Sequence, residues 1–120
     1  MMANPSPLPP IDSENLTSMD LHRAAERAAM QADICLLEDD MVGARHNWLR
    51  AACYERATLA LLPHSLPASR HLVATSSMAL FLHAGERYHA LRMLSEVLAA
   101  GPWRPEIIAD FRALFVSAEK

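Results

Sequence analysis

Glycine is scarce in this chain of 120 residues, which contains only three. Gly43, Gly85 and Gly101 stand alone, so none belongs to a GxGxxG motif or a P-loop, where glycines let the backbone approach a phosphate closely. The sequence therefore argues against a nucleotide-binding fold. Lysine is scarcer still, because Lys120 is the only one. No interior lysine is available for a Schiff base or a phosphate contact.

Cysteines and long apolar runs are also few. Cys35 and Cys53 lack the spacing of a CxxC motif, and each lies in a helical pattern, where a free cysteine usually acts as a small buried apolar residue. No segment approaches the roughly 18 consecutive apolar residues of a membrane-spanning helix. Residues 1–15 contain four prolines but neither the basic nor the apolar region of a secretory signal. These absences predict a soluble protein of the reducing cytoplasm.

The net charge of −3 is unevenly distributed along the chain. Residues 1–40 carry −6, residues 41–80 carry +3, and the charges of residues 81–120 balance. A mildly acidic chain lacks the basic surface of a nucleic-acid-binding protein, so no nucleic-acid partner is expected. An acidic first helix beside a more basic second helix is instead expected to favour their packing.

Alanine and leucine dominate the composition, with 21 and 17 residues respectively. Strong helix formers at this density favour an all-α fold, and 120 residues suit a single domain. Residues 1–16 are predicted to form a flexible proline-rich arm, and residues 17–120 one helical domain. About five helices are expected, over 19–38, 41–62, 67 to a stop at Gly85, 87–99, and from 105 onward. The last is expected to pack as a cap over the preceding pair.

The first predicted helix carries a stripe of small and apolar residues at alternating spacings of four and three. The stripe consists of Leu21, Ala25, Ala28, Ala32 and Cys35. Because this spacing lays side chains along one face of a helix, we expect that face to be buried. Asp39 and Asp40 follow it, and their carboxylates suit the start of the second helix, where side-chain oxygens accept hydrogen bonds from exposed N–H groups.

Two segments of the chain are similar to each other at an offset of 46 residues. The alignment pairs Ala44 with Ala90, Cys35 with Phe81, Asp39 with Gly85, Trp48 with Leu94 and Ala51 with Val97. Two similar helical hairpins in tandem, followed by a lone helix, are typical of a fragment of a helical solenoid. A four-helix bundle, which is also built from short sequence-adjacent hairpins, is the alternative.

The second of these segments resembles a tetratricopeptide repeat in its turn and second helix. Ala90, Leu94, Val97 and Pro102 reproduce the family's spacing of a small residue, a bulky residue, a small or apolar residue and a helix-ending proline. Tyr88 lies one position later than its counterpart in the family. The resemblance is therefore carried mainly by the second helix of this hairpin.

The first segment resembles the family less completely. Ala44, Trp48 and Ala51 match, and Ala32 takes the small position of the preceding helix, but no proline follows at the expected distance. The offset of 46 residues also exceeds the family's period of about 34. The resemblance is thus to a tetratricopeptide-like superfamily of helical hairpins, over residues 19–102. It implies two antiparallel hairpins in a right-handed stack that binds peptides or partner proteins along a groove, without catalysis.

This resemblance also implies that the first helix of each hairpin lines the groove. With Ala32 and Met78 taken as equivalent positions, the candidate partner-binding residues are Glu26, Asp33, Leu37, Leu72, Thr75 and His83. Their acidic end beside an apolar strip suits a basic or amphipathic peptide. Trp103, in a short connection, is a further candidate anchor, with burial beneath the fifth helix as the alternative.

Two other sets of residues invite a chemical interpretation. Glu86 and His89 have the i, i+3 spacing of di-iron bundles, and His83 lies nearby. The sequence lacks the second ExxH that such a site needs, and Gly85 interrupts the helix, so we expect a solvated turn without metal or other cofactor. Cys53 could pair with a histidine as a nucleophile, yet no local signature accompanies it. The chain is therefore not predicted to be an enzyme.

The sequence favours a non-catalytic protein-interaction module, an adaptor or a chaperone, that binds a protein or peptide. A homodimer is compatible with this interpretation. The first alternative is a structural helical subunit of an obligate oligomer, and the second, with less support, is a metal-binding helical bundle. Neither a nucleic acid nor a membrane is expected as a partner.

Overall fold

The structure, a computed structural model, describes residues 7–11 and 15–118. These residues form five helices and no strand, which confirms the predicted all-α fold of about five helices. The helices are α1 (Ser18–Leu37), α2 (Met41–Leu61), α3 (Pro67–His83), α4 (Arg87–Ala99) and α5 (Pro105–Ala118). Their bounds differ from the predicted ones by a residue or two. None of the described helices combines the length and apolar character needed to cross a membrane.

Helix α1 begins at a capping box. The Thr17 hydroxyl accepts a hydrogen bond from the Asp20 backbone N–H at 3.1 Å, and the Asp20 carboxylate accepts one from the Thr17 N–H at 3.0 Å. These bonds hold the pKa of Asp20 below its usual value. All five residues of the predicted stripe, from Leu21 to Cys35, are buried against α2. Alanines along this stripe let the two helices approach closely.

Both hairpins turn through the same backbone motif. Asp39 and Gly85 follow α1 and α3 with φ of 58° and 76°, in the left-handed region. The next N–H in each turn donates back into the helix, from Asp40 to the Cys35 carbonyl at 2.8 Å and from Glu86 to the Phe81 carbonyl at 2.9 Å. The offset of 46 residues in the sequence is therefore also present in the backbone.

The two aspartates between α1 and α2 have different roles. Asp40 is the N-cap of α2, as predicted, and its carboxylate accepts from the Gly43 N–H at 2.8 Å. Asp39 instead ends α1 in the left-handed conformation, so the prediction that both acids cap α2 was wrong for this residue.

The helices pack in chain order, and α3 is at the centre. Helix α1 lies on α2, α2 on α3, and both α4 and α5 on α3. Met78 and Phe81 of α3, Val97 of α4 and Phe111 of α5 are almost completely buried in one core. Helix α5 also reaches α4, because the Arg87 guanidinium lies 6.0 Å from the Phe115 ring. The prediction that α5 caps the preceding pair is therefore confirmed for α3, on which α5 packs.

Candidate functional site

A cavity of about 710 Å³ separates α2 from α4. Both helices pack on α3, and the space between their facing surfaces is open. The lining consists of Cys53, Arg56, Ala57, Leu59, Ala60, Leu62 and His64 from α2 and its end, Arg70 from α3, Met93, Glu96, Val97 and Ala100 from α4 and its end, and Leu8, Pro9 and Ile11. We call this space the α2–α4 groove. Its walls are mainly aliphatic and its rim is polar, as is common in ligand sites of this size.

An ion pair bridges the groove from one helix to the other. Arg56 Nη2 lies 2.8 Å from both carboxylate oxygens of Glu96, and Arg56 Nε lies 3.3 Å from Oε2. Both side chains are partly exposed, so the pair contributes at most about 1 kcal/mol to the free energy of unfolding. It fixes the position of two charges beside an apolar surface.

Residues 7–11, which we call the arm segment, lie along the groove. Leu8 and Ile11 are partly buried against the core, whereas Pro7 and Pro10 are exposed. Leu8 also lines a smaller void beside Phe81. Residues 7–11 of the predicted flexible arm thus belong to no helix and contact the helical domain, and the rest of residues 1–14 lies outside the described residues.

Arg70, which lines the groove, and the neighbouring Trp103 have their polar groups bonded within the fold. Arg70 is buried, donates from Nη1 to the Leu62 carbonyl at 3.2 Å, and lies 5.5 Å from the centre of the Trp103 ring. The Trp103 indole donates to the Val97 carbonyl at 2.6 Å and packs edge-on against Phe111. Trp103, the predicted anchor, is therefore half-buried, and its indole N–H already has a partner. This placement is close to the predicted alternative, burial beneath the fifth helix.

The predicted groove residues of α1 lie on another surface. Glu26, Asp33 and Leu37 are all exposed, and Leu37 is 87% exposed. They occupy the face of α1 opposite the stripe that packs on α2. An oxygen of the Glu26 carboxylate also lies 2.9 Å from His22 Nε2. None of these three residues lines the α2–α4 groove.

The predicted groove residues of α3 are likewise outside that groove. Leu72 is 69% exposed, and the Thr75 hydroxyl donates to the His71 carbonyl at 2.9 Å. His83 is exposed, with its ring 5.6 Å from that of Trp48. Helix α2 packs between α1 and α3, so it separates the predicted groove residues of α1 from those of α3. A binding surface along the first helices of the hairpins stays a prediction.

Sequence reasoning missed a buried carboxylate. Glu55 of α2 is only 2% exposed, and its Oε1 lies 2.7 Å from Nδ1 of His22 on α1. Burial raises the pKa of Glu55, and hydrogen bonds from His22 and Ser76 partly oppose that increase. The Ser76 hydroxyl thus contacts the carboxylate, and the imidazole contacts the same carboxylate, which is not the serine–histidine–acid order of a catalytic triad. The cluster joins α1, α2 and α3 through one polar site.

The residues considered for metal binding are separated. His89 is buried, with its ring 6.0 Å from Phe81 and 5.5 Å from Tyr88, so the expectation of a solvated turn was wrong for it. His83 instead contacts Trp48 of α2. Among the described residues, no group of three or more histidines, cysteines, aspartates or glutamates is placed to hold a metal ion.

Both cysteines are free and buried. Cys53 lines the α2–α4 groove, and burial raises the pKa of its thiol to about 11. A thiol with this pKa is almost entirely protonated at neutral pH, and the thiolate is the form that acts as a nucleophile. Cys53 therefore contributes to the apolar lining of the groove as a protonated thiol.

The chain matches no protein-family model, and no curated protein or solved structure matches it either. Among the surfaces of the described residues, the α2–α4 groove is the one in which apolar walls, charged rim groups and a bound peptide segment coincide.

Proposed function

We propose that this protein is a non-catalytic interaction module that holds a peptide segment of a partner protein in the α2–α4 groove. One observation carries the proposal: a peptide segment of the chain itself, residues 7–11, already lies there and inserts aliphatic side chains. A surface that accepts a short peptide segment and buries two of its aliphatic side chains has the shape that peptide recognition requires. An adaptor or a chaperone is the corresponding cellular role.

Two further features support this proposal. The equivalent turns at Asp39 and Gly85 are what a pair of tetratricopeptide-like hairpins would contain, and such hairpins commonly bind peptides. The groove of this chain is lined by the second helices instead of the first, which is the difference from the expectation drawn from that resemblance. Two buried thiols that form no disulfide also suit a reducing compartment, and we propose that the protein acts in the cytoplasm.

Blocking the groove tests the proposal. Ala60 is an exposed alanine in the groove, and Ala109 is an exposed alanine on α5 outside it. Peptides selected from a random display library on the wild-type protein are measured by fluorescence anisotropy against Ala60→Trp and, as the matched control, Ala109→Trp. We expect Ala60→Trp to weaken the selected peptides at least tenfold and Ala109→Trp to leave them unchanged. Equal affinities for both variants would refute the proposal.

A structural subunit of an oligomer is the second candidate, and the outer face of α1 favours it. Met19, Met30, Ile34 and Leu37 are all exposed there, opposite the alanine stripe. Soluble monomers rarely expose large contiguous apolar patches. Light scattering after size exclusion distinguishes the candidates: a dimer that persists on dilution and dissociates in Leu37→Glu supports the oligomer, whereas a monomer excludes it.

A further inference from the structure

The arm segment has the periodicity of a polyproline II helix. That helix has about three residues per turn, so residues three apart lie along the same edge. Leu8 and Ile11 are three apart and both partly buried, whereas Pro7 and Pro10, also three apart, are both exposed. Pro9, on the remaining edge, is partly buried and also lines the groove. The three prolines restrict their own φ and the conformation of each preceding residue. The sequence of the arm therefore holds it extended, with two aliphatic side chains on one edge.

The groove is complementary to this edge. Its walls are formed by aliphatic side chains, including Leu59, Leu62, Met93 and Val97. Surfaces that recognise prolines directly use aromatic side chains for that purpose. Here the prolines restrict the backbone, and Leu8 and Ile11 enter the groove together with Pro9. Preorganisation of this kind lowers the entropy cost of binding.

The arm segment leaves part of the groove unfilled. The cavity of about 710 Å³ is bounded by Leu8, Pro9 and Ile11 themselves, so it is the space that remains beside them. A ligand with larger apolar side chains at the two inserted positions would bury more surface than the arm does. The arm is thus a partial occupant of the groove that a better-fitting segment can replace.

We propose that the ligand of the α2–α4 groove is a proline-rich, extended segment of another protein with two large apolar side chains three residues apart, and that residues 7–11 are its intramolecular competitor. This inference rests on the function proposed above. A tethered segment competes at an effective concentration in the millimolar range for short flexible linkers. The apparent affinity of any external peptide is therefore reduced as long as the arm can occupy the groove.

Weakening the arm in the full chain tests this inference. The probe is a fluorescein-labelled peptide with the sequence of residues 5–11, PSPLPPI, and the comparison peptide carries serine in place of its leucine and isoleucine. Both are titrated into the wild-type protein and into the variant Leu8→Ser/Ile11→Ser. Val116→Ser, an exposed apolar residue on α5, is the matched control. Circular dichroism and thermal unfolding establish that all variants are folded.

We expect the PSPLPPI peptide to bind the arm variant at least threefold more tightly than the wild-type protein or Val116→Ser. The serine peptide should bind at least tenfold more weakly, and adding Ala60→Trp to the arm variant should abolish binding. In the wild-type protein, saturating peptide should shift the Ile11 methyl resonance towards the position of an exposed isoleucine. These results together would support both the ligand class and the competition.

Failure has distinguishable forms. Equal affinities for the wild-type protein and the arm variant would refute the competition. No binding of PSPLPPI to the arm variant, while library-selected peptides still bind in a manner sensitive to Ala60→Trp, would refute the ligand class but leave the proposed function intact. If neither the probe nor any selected peptide depends on the groove, both the inference and the proposed function are wrong.

Discussion

Asp39 and Gly85 occupy the same position in the two hairpins, 46 residues apart and both in the left-handed backbone region. Each lies one residue beyond the C-cap of the first helix and one residue before the N-cap of the second. Glycine adopts this conformation without steric cost, whereas the Cβ of an aspartate lies too close to the following carbonyl oxygen. The second hairpin therefore makes this turn with a glycine, which suits it, and the first makes it with an aspartate, which is strained. Each turn serves as a control for substitutions in the other.

Exchanging the residues at these turns should change stability in opposite directions. We expect Asp39→Gly to raise the free energy of unfolding by about 0.5 to 1 kcal/mol, because the strain relieved exceeds the entropy gained by the unfolded chain. Gly85→Ala should lower it by about 1 kcal/mol. A Cβ at Gly85 would meet no atom within 4 Å, so the loss would be conformational. Urea unfolding measures both changes, and a neutral Gly85→Ala would contradict the assignment.

The helix N-caps of the two hairpins allow a second exchange. Asp40 caps α2 with its carboxylate, whereas Glu86, the N-cap of α4, makes no side-chain cap bond. Their backbone conformations are similar, with φ of −96° and −101°. We therefore expect Glu86→Asp to stabilise the protein by about 0.5 to 1.5 kcal/mol, since the shorter carboxylate can reach the N–H three residues ahead.

The reverse substitution supplies the control for the caps. Asp40→Glu should destabilise the protein by a similar amount, about 1 kcal/mol, because the longer side chain loses the bond to the Gly43 N–H. Thermal unfolding followed at 222 nm measures both variants. Two substitutions of the same sign would show that the caps are not equivalent.

The helices could be predicted from the sequence because their signals are local. The buried stripe of α1 repeats at helical spacing, and Pro67 and Gly85 mark the ends of α3 within a few residues of their own positions. The α2–α4 groove has no such signal. Its width depends on how both helices pack on α3, and its walls bring Leu8 next to residues of α4 that are far away in the chain.

Buried polar residues could not be predicted from the sequence either, because their burial depends on contacts between distant parts of the chain. Glu55 lies within a helix, where a lone glutamate is usually exposed, and its partner His22 is 33 residues away. The groove residues chosen on α1 and α3 depended on a family resemblance and not on a contact that the sequence encodes. The arm segment, by contrast, carries a visible signal, which is the spacing of three between Leu8 and Ile11 among prolines.

The buried carboxylate of Glu55 should make stability depend on pH. Its pKa in the folded protein is raised above the usual 4.5, so the folded state binds more protons than the unfolded state above that pH. The free energy of unfolding is therefore expected to fall as pH rises from about 4.5 towards the folded pKa. In Glu55→Gln, which keeps an oxygen acceptor for His22, this decrease should be reduced.

Urea unfolding at several pH values tests this expectation, with Glu38→Gln as the control at an exposed position. The control should retain the pH dependence of the wild-type protein. A wild-type stability that rises over this pH range, or an equal dependence in Glu55→Gln, would show that another group dominates.

The thiol of Cys53 should be nearly inert in the folded protein. Its pKa is raised from 9.0 to about 11 by burial, which lowers the thiolate fraction at pH 8 about 100-fold. In a Cys35→Ala background, where Cys53 is the only thiol, we expect reaction with an aromatic disulfide reagent at least 100-fold slower than in urea. Steric protection in the groove wall adds to the electrostatic effect.

As a reference, Cys35→Ala/Cys53→Ala/Ser117→Cys carries one thiol at an exposed position of α5 and should react at the rate of a free cysteine. Rapid labelling of Cys53 in the folded protein would show that the α2–α4 groove opens to solvent far more than this structure indicates.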